Sequence, residues 1–170
     1  SIVYSAQKPE FRETALVVSN DYLGQVKASG THNTYNYMST NFHNDPRVKE
    51  ICDFIVSMSD EILMKQGYNM DIYESVVIEM WCQEHLRHSD MNKHLHGLGS
   101  QISGFYFLES PQNCPVPVIH DPRPTKQIIG LIENNPNQMS HASNALTFEP
   151  REGSFIFTNS WLEHSFTKNE

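Results

Sequence analysis

The sequence predicts a mainly β protein of the α+β class, in which one long helix packs outside a β-sandwich or barrel. Apolar residues recur at three- and four-residue steps between Asp45 and Gly67, which is the spacing of a helix with one buried face. From Ile72 onward the pattern changes to short β-rich segments separated by turn residues. Because 170 residues suit one domain of ordinary size, we expect a single domain over residues 1–170.

The first 45 residues are predicted to form loops with a short strand or two. They combine short apolar runs, such as Ala15–Val18, with the polar stretch Thr31–Thr40, which has no helical period. Residues 1–71 are therefore expected to be an N-terminal region of loops and one support helix.

The support helix is predicted over residues 45–67. Asp45 is a typical N-cap and Pro46 suits the first helical position, while Gly67 ends the pattern. Between these signals lie the apolar residues of the buried face: Val48, Ile51, Cys52, Ile55, Ile62 and Leu63. We expect this helix to pack on the outer side of a β core that occupies residues 72–170.

Five segments of the β core are predicted to be strands, because they are rich in β-branched and aromatic residues. They are Ser75–Trp81, Ile102–Leu108, Val116–His120, Ala145–Phe148 and Ser154–Phe157. Several short strands at such spacing indicate a sandwich or a barrel.

The charge and cysteine content exclude several classes of protein. With 20 acidic and 12 basic residues, a net charge of −8 and no run of Lys or Arg, the chain lacks the basic surface of a nucleic-acid binder. No stretch reaches the roughly 20 apolar residues that cross a bilayer, and no signal-peptide pattern opens the sequence. Three cysteines without close spacing suggest neither a disulfide framework nor a thiolate zinc site. We expect a soluble, cytoplasmic protein without a membrane partner; its oligomeric state is left open, with a homodimer as one option.

Histidines form the main chemical signal. The chain has nine, and four of them fall between Trp81 and the next predicted strand: His85, His88, His94 and His96. His94 and His96 are two residues apart, which on an extended strand places both imidazoles on one face, where they can bind one ion. A third ligand must come from elsewhere, and His164, at the end of a strand-turn-strand segment, is the obvious supplier.

An ordered set of motifs resembles a known family. These motifs are a strand ending in Trp81, then Asn92–His96, Ser103–Leu108, His120–Arg123, Glu152–Gly153 and Ser160–His164. From about Ile72 to Asn169 the chain resembles, in their order and spacing, the iron(II)/2-oxoglutarate-dependent oxygenases of bacteria and their viruses.

The resemblance implies a double-stranded β-helix, the jelly-roll fold that cupins share. In that family the metal binds a strand carrying His-x-Asp, or a variant of it, and a later strand carrying a distal histidine; His94 and His164 match these two positions. His96 occupies the position that is usually Asp, so a three-histidine site is the first choice. Asp121 is the alternative third ligand, because it ends a strand that the family fold places close to the distal-histidine strand.

The family chemistry implies Fe(II), 2-oxoglutarate and O₂ as cofactor and co-substrates. Succinate and carbon dioxide would be released while a C–H bond of a peptide side chain or small metabolite is hydroxylated. Arg123 is a candidate to hold an anionic group bidentately, and three further residues are candidates to contact the co-substrate or orient the histidines: Asn92, Ser103 and Tyr106. Family members commonly bind the far carboxylate with an Arg or Lys past the distal histidine. We expect this position, and both natural ends of the chain, to lie outside the 170 residues.

Two other functions stay open at this point. One is a cupin-like enzyme that uses three histidines with iron, zinc or manganese and needs no 2-oxoglutarate. The other is a non-catalytic jelly-roll module, for binding or structure, in which the histidines are vestigial. Trp81 and Trp161 are expected in the core or in the wall of the site.

Overall fold

The computed structural model describes residues 3–30, 36–97 and 99–170, and the predicted α+β class is confirmed. The helices are α1 (Arg12–Ser29) and α2 (Lys49–Lys65). The strands are β1 (Tyr4–Gln7), β2 (Asn36–Met38), β3 (Gln83–His85), β4 (Met91–His94), β5 (Ile102–Tyr106), β6 (Pro117–His120), β7 (Ala145–Thr147), β8 (Ser154–Asn159) and β9 (His164–Phe166). In the described ranges, neither helix is long and apolar enough to cross a lipid bilayer.

The described strands form three antiparallel sheets. One has the order β1-β8-β5, a second the order β4-β9-β6-β7, and β2 pairs with β3. The two larger sheets contact each other at Phe105 of β5, whose ring packs edge-on against His164 and Phe166 of β9 with centroids 5.2 and 5.0 Å away. This contact positions the functional site, because it places the distal histidine between the sheets.

The register of β5 and β8 divides side chains between two faces of the three-stranded sheet. Phe105 lies opposite Ile156, and Tyr106 lies opposite Phe155. Since directly opposed residues share a face, Phe105 and Ile156 point toward the four-stranded sheet. Tyr106 and Phe155 point away from it, toward the helices.

Helix α2 packs on that second face, as the sequence predicts. Its Phe54 ring lies 5.3 Å from Phe155 and 6.4 Å from Phe157, between ring centroids. The predicted start is confirmed too, because the Asp45 carboxylate accepts the backbone N–H of Arg47 at 2.9 Å and a short 3₁₀ turn leads into the helix.

The prediction of loops in the first 45 residues is wrong for residues 12–29, which form α1, so the described part of the chain has two long helices instead of one. The buried face of α1 is narrow and partly polar: Ala15, Val18, Ser19 and Leu23. A continuous apolar run at residues 15–18 obscures its period. The short strands expected in this region are present as β1 and β2, and residues 31–35 of the polar stretch lie outside the described residues.

The predicted strand Ser75–Trp81 is also wrong, because this segment forms no regular strand. The Asn41 side chain replaces a backbone partner there: its Nδ2 donates to the Ile78 carbonyl at 3.2 Å, and its Oδ1 accepts the Met80 N–H at 2.9 Å. A side-chain amide satisfies the backbone groups without continuing the ladder. Three of the other predicted segments contain β5, β6 and β7, and the fourth, Ser154–Phe157, lies within β8.

Gly153, in the turn before β8, is required by its conformation and by its neighbour. Its φ is +74°, and a Cβ at this position would lie 2.7 Å from Pro9 Cα. We expect Gly153→Ala to lower the free energy of unfolding by more than about 1 kcal/mol, since the native conformation is incompatible with an L side chain. Urea denaturation measures the change. Gly130→Ala is the control: nothing lies within 4 Å of its added Cβ, and equal losses in both variants would contradict the explanation.

Candidate metal centre

Three histidines come together at one end of the four-stranded sheet. His94, His96 and His164 each offer a ring nitrogen, and these atoms all lie within 4.8 Å of one another. The ring centroids of His94 and His164 are 4.4 Å apart, and the Nε2 atoms of His96 and His164 are 3.2 Å apart. The sequence predicts this set, and the structure brings all three side chains together.

Strand register and one loop contact place the three rings. His94, at the end of β4, lies directly opposite His164, at the start of β9. His96 follows β4, and its backbone N–H donates to the Ser160 carbonyl at 3.1 Å, which holds the chain beyond β4 against the turn before β9. In that turn, Leu162 is fully buried and its N–H donates to Asn159. The cluster is therefore supported from both of its chain segments.

Backbone carbonyls determine which ring nitrogen of two histidines is free. The Nδ1 of His94 lies 2.8 Å from the Asn92 carbonyl oxygen, and the Nδ1 of His164 lies 3.2 Å from that of Leu162. A carbonyl oxygen only accepts, so Nδ1 carries the proton in each ring and Nε2 keeps its lone pair. These lone pairs are available to a cation, as metal-binding histidines require.

Burial keeps the central histidine uncharged. His164 is fully buried, and burial lowers its pKa to about 4, although the hydrogen bond to Leu162 acts in the opposite direction. Burial also lowers the pKa of His96, assisted by the nearby His94, while the Glu79 carboxylate opposes that shift. Both rings are neutral at pH 7, which is the form that binds metal ions.

Aromatic rings and two hydroxyl groups line the surroundings of the cluster. Phe105 covers His164 from the facing sheet, and the Trp81 ring lies 6.0 Å from His96 between centroids. Ser103 is on the same sheet face as Phe105, and its hydroxyl lies 3.4 Å from that of Thr158 on β8. Sequence reasoning missed the roles of Phe105 and Thr158, which only the pairing of β5 with β8 shows.

Asp121, the alternative third ligand, has other partners in the structure. Its carboxylate accepts hydrogen bonds from Arg123 at 2.6 Å and Lys126 at 3.1 Å. These contacts, chiefly the hydrogen bond from Arg123, hold the pKa of Asp121 well below its usual range. Arg123 also contacts the His141 ring, with its NH1 atom 3.1 Å from Nε2. The structure thus places Asp121 and Arg123 in an ion pair with each other, and neither side chain joins the histidine cluster.

The other predicted site residues divide between the two sheet faces. Tyr106 points away from the histidines, and its hydroxyl donates to the Lys8 carbonyl at 2.6 Å. Asn92 contacts His94 through its backbone oxygen. Ser103 alone among the three has its side chain on the sheet face that carries Phe105, toward the histidines.

Two further histidines lie near the site without entering the cluster. His120 is on the strand next to β9, but its Nε2 pairs with the Ser165 hydroxyl at 2.9 Å. His85 packs on Phe166 with ring centroids 5.2 Å apart. Their positions show that proximity in sequence or in the sheet is not sufficient to join the site.

The comparison with protein families agrees with this arrangement. Residues 79–170, more than half of the chain, match the family model described as Putative 2OG-Fe(II) oxygenase. The chain belongs to this family. The matched residues include all three clustered histidines. No curated protein matches the chain.

The donor set of this 2OG-Fe(II) oxygenase family member fits iron. Imidazole nitrogens suit Fe(II), as they suit zinc, copper and nickel. Two nitrogens 3.2 Å apart, each about 2.1 Å from one ion, subtend an angle of about 100° at that ion. This value lies between the octahedral and tetrahedral angles, so His96 and His164 can bind one ion side by side. Three protein ligands leave further positions for oxygen donors.

Proposed function

We propose that this protein is an iron(II)- and 2-oxoglutarate-dependent dioxygenase that hydroxylates its substrate at a metal held by His94, His96 and His164. The convergence of their ring nitrogens within 4.8 Å, in a chain that belongs to the oxygenase family, carries the proposal. His96 is the preferred third ligand because its Nε2 already faces His164 at 3.2 Å. Asp121, in contrast, is engaged by two cations.

The protein's own residues prepare the site in three ways. The carbonyls of Asn92 and Leu162 orient two rings, so that their lone pairs are available without rearrangement. Phe105 and the fully buried Leu162 exclude water from the His164 side. Bound iron(II) would supply the redox chemistry that couples O₂ and 2-oxoglutarate to the oxidation of a C–H bond.

We place the 2-oxoglutarate in the space between the two larger sheets. Ser103 and Phe105 are two residues apart on the same face of β5. Because Phe105 contacts His164, the Ser103 hydroxyl is on the sheet face that the metal site borders. The buried Thr158 adds a second hydroxyl beside it. Hydroxyl donors in a water-poor space can bind a carboxylate that lacks solvent.

The strand order supports the double-stranded β-helix that we propose for this core. Strands β4, β6, β7 and β9 lie in one sheet, whereas β5 and β8 lie in the other. The chain therefore crosses between the two sheets repeatedly from β4 to β9. This alternation is expected when a pair of strands winds into a helical coil.

Metal analysis and 2-oxoglutarate binding test the proposal. We expect the protein to bind one iron(II) per chain, and anaerobic addition of 2-oxoglutarate to produce a visible charge-transfer band. Succinate should then form in an oxygen-dependent reaction. Zinc or manganese bound in place of iron, with neither the band nor succinate, would favour the cupin-like enzyme. Absence of stoichiometric metal would favour the non-catalytic module.

Two substitutions identify the third ligand. We expect His96→Ala to lose bound iron and turnover, because it removes a direct donor. Asp121→Ala should retain iron. Its activity should fall by at most roughly 10- to 100-fold, which is the loss expected for a residue that supports a metal ligand without binding the metal. Full iron stoichiometry and turnover in His96→Ala would move the ligand role to Asp121.

A further inference from the structure

We propose that the mouth of the histidine cluster is a docking surface for a polypeptide that carries a basic side chain, with Trp81, Trp161 and Glu79 as its recognition residues. The inference rests on the proposed function and names the substrate class of the same site.

Both tryptophans of the chain are exposed; Trp81 lies beside the cluster, and Trp161 is in the turn that leads to it. Trp81, whose ring lies 6.0 Å from that of His96, is 36% exposed, and Trp161, in the turn three residues before His164, is 51% exposed. Of the two expected positions, the core and the wall of the site, their exposure excludes the core. Leu95, between two of the clustered histidines, is 53% exposed. Large apolar side chains grouped at a site mouth indicate a binding surface, because their exposure is otherwise unfavourable.

The charge near the tryptophans favours a cation. Glu79 precedes Trp81 by two residues, and both side chains are exposed, in contrast to Met80 and Cys82, which pack against the core. Lys93, on β4 next to His94, already forms an ion pair with Glu163 at 2.7 Å. A tryptophan face attracts Lys or Arg, and the net charge of −8 favours the approach of a basic partner.

An exposed apolar loop that leaves the sheet at the same end as the cluster favours a polypeptide over a small metabolite. Ile119 of β6 lies opposite His164, so the loop between β6 and β7 leaves the sheet at the same end as the cluster. This loop exposes Ile128, Leu131 and Ile132 by 87, 84 and 97%. Small ligands are normally held in enclosed concave pockets, whereas an extended chain can lie across exposed apolar residues.

Intrinsic fluorescence tests the inference directly, because both tryptophans of the chain lie at the proposed surface. The probes are acetylated, amidated decapeptides of Gly, Ser and Leu with one central Lys or Arg, and matched peptides with Gln or Glu at that position. We expect the basic peptides to change the fluorescence and to bind at least several-fold more tightly than the Gln peptide. The Glu peptide should bind most weakly.

Substitutions then assign the effect to residues. Trp81→Leu and Trp161→Leu should each weaken binding of the basic peptide by about 2- to 30-fold, as expected for a lost cation–π contact, with the remaining tryptophan as reporter. Glu79→Gln should weaken binding of the basic peptide and leave the Gln peptide unaffected. Glu50→Gln, the same change of charge on α2, is the matched control. Trp81→Phe replaces Trp81→Leu if the latter does not fold.

The outcomes separate this inference from the proposed function. Equal binding of the Lys, Gln and Glu peptides, or no binding of any, would refute the docking surface even if iron and 2-oxoglutarate bind as proposed. Free lysine or arginine binding as tightly as the peptides would refute the polypeptide and indicate a small cationic substrate. Selective peptide binding without any iron binding would support the surface and refute the dioxygenase.

Discussion

We expect His164→Ala to abolish iron binding and oxygen-dependent turnover. His164 is the fully buried member of the cluster, and its Nε2 faces that of His96 at 3.2 Å. Its removal leaves two partly exposed ligands on one short segment. Loss of a residue that only hydrogen-bonds to a metal ligand lowers metal affinity or activity by about 10- to 100-fold. Loss of the direct ligand His164 should therefore lower iron affinity by more than about 100-fold. Iron per chain and succinate formation measure the effect.

A second histidine substitution controls for general effects of truncating an imidazole. His120 is on the neighbouring strand and is also partly buried, but it pairs with Ser165. We expect His120→Ala to retain iron. His164→Gln, which refills most of the volume, tests the same point if His164→Ala does not fold. Folded His164 variants with one iron per chain would exclude the proposed centre.

The histidine cluster could be predicted from the sequence because its geometry is partly local. His94 and His96 are two residues apart, and the motif around His164 matches the family. The face that Tyr106 occupies could not be predicted, since it depends on the pairing of Tyr106 with Phe155 on a distant strand. A shift of one residue in this register would have turned Tyr106 toward the histidines.

The ion pair of Asp121 shows a different limit. A carboxylate at the end of a strand can bind a metal or a neighbouring cation, and both readings fit the sequence. The 3₁₀ turn Pro124–Ile128 brings Lys126 back to Asp121, and Arg123 lies two residues away. The choice between these partners is made by the loop conformation, which no periodicity encodes.

The two helices also differ in how well the sequence predicts them. Helix α2 buries the large apolar residues Ile51, Ile62 and Leu63, and the 3₁₀ turn that leads into it has Asp45 as a typical N-cap. Helix α1 buries four residues, but two of them, Ala15 and Ser19, are small. Its stability depends on packing against the rest of the protein, and tertiary packing can stabilise a helix whose own pattern is weak.

Phe155→Ala is expected to produce the largest loss of stability. Phe155 is 3% exposed and lies at the centre of the aromatic cluster that joins the helices to the three-stranded sheet. Its ring centroid is 4.3 Å from Tyr106, 5.3 Å from both Phe54 and Phe157, and 6.5 Å from Phe11. Truncating a buried Phe to Ala costs about 3–5 kcal/mol, because it removes apolar contacts and leaves a cavity. For a chain of this size, Tm should fall by roughly 6–20 °C.

Denaturant unfolding measures the loss of stability in Phe155→Ala, and iron content shows whether the metal centre is affected as well. Met139→Ala, at a position that is 69% exposed, should change stability by no more than about 0.5 kcal/mol. Phe155 points toward the helices, whereas Phe105 on the opposite face of the same sheet contacts His164. The folded fraction of Phe155→Ala should therefore bind iron at the wild-type stoichiometry, because the two faces carry separate functions. A loss below about 1 kcal/mol would show that the core does not depend on this ring, and loss of iron from the folded variant would show that the aromatic cluster also supports the metal centre.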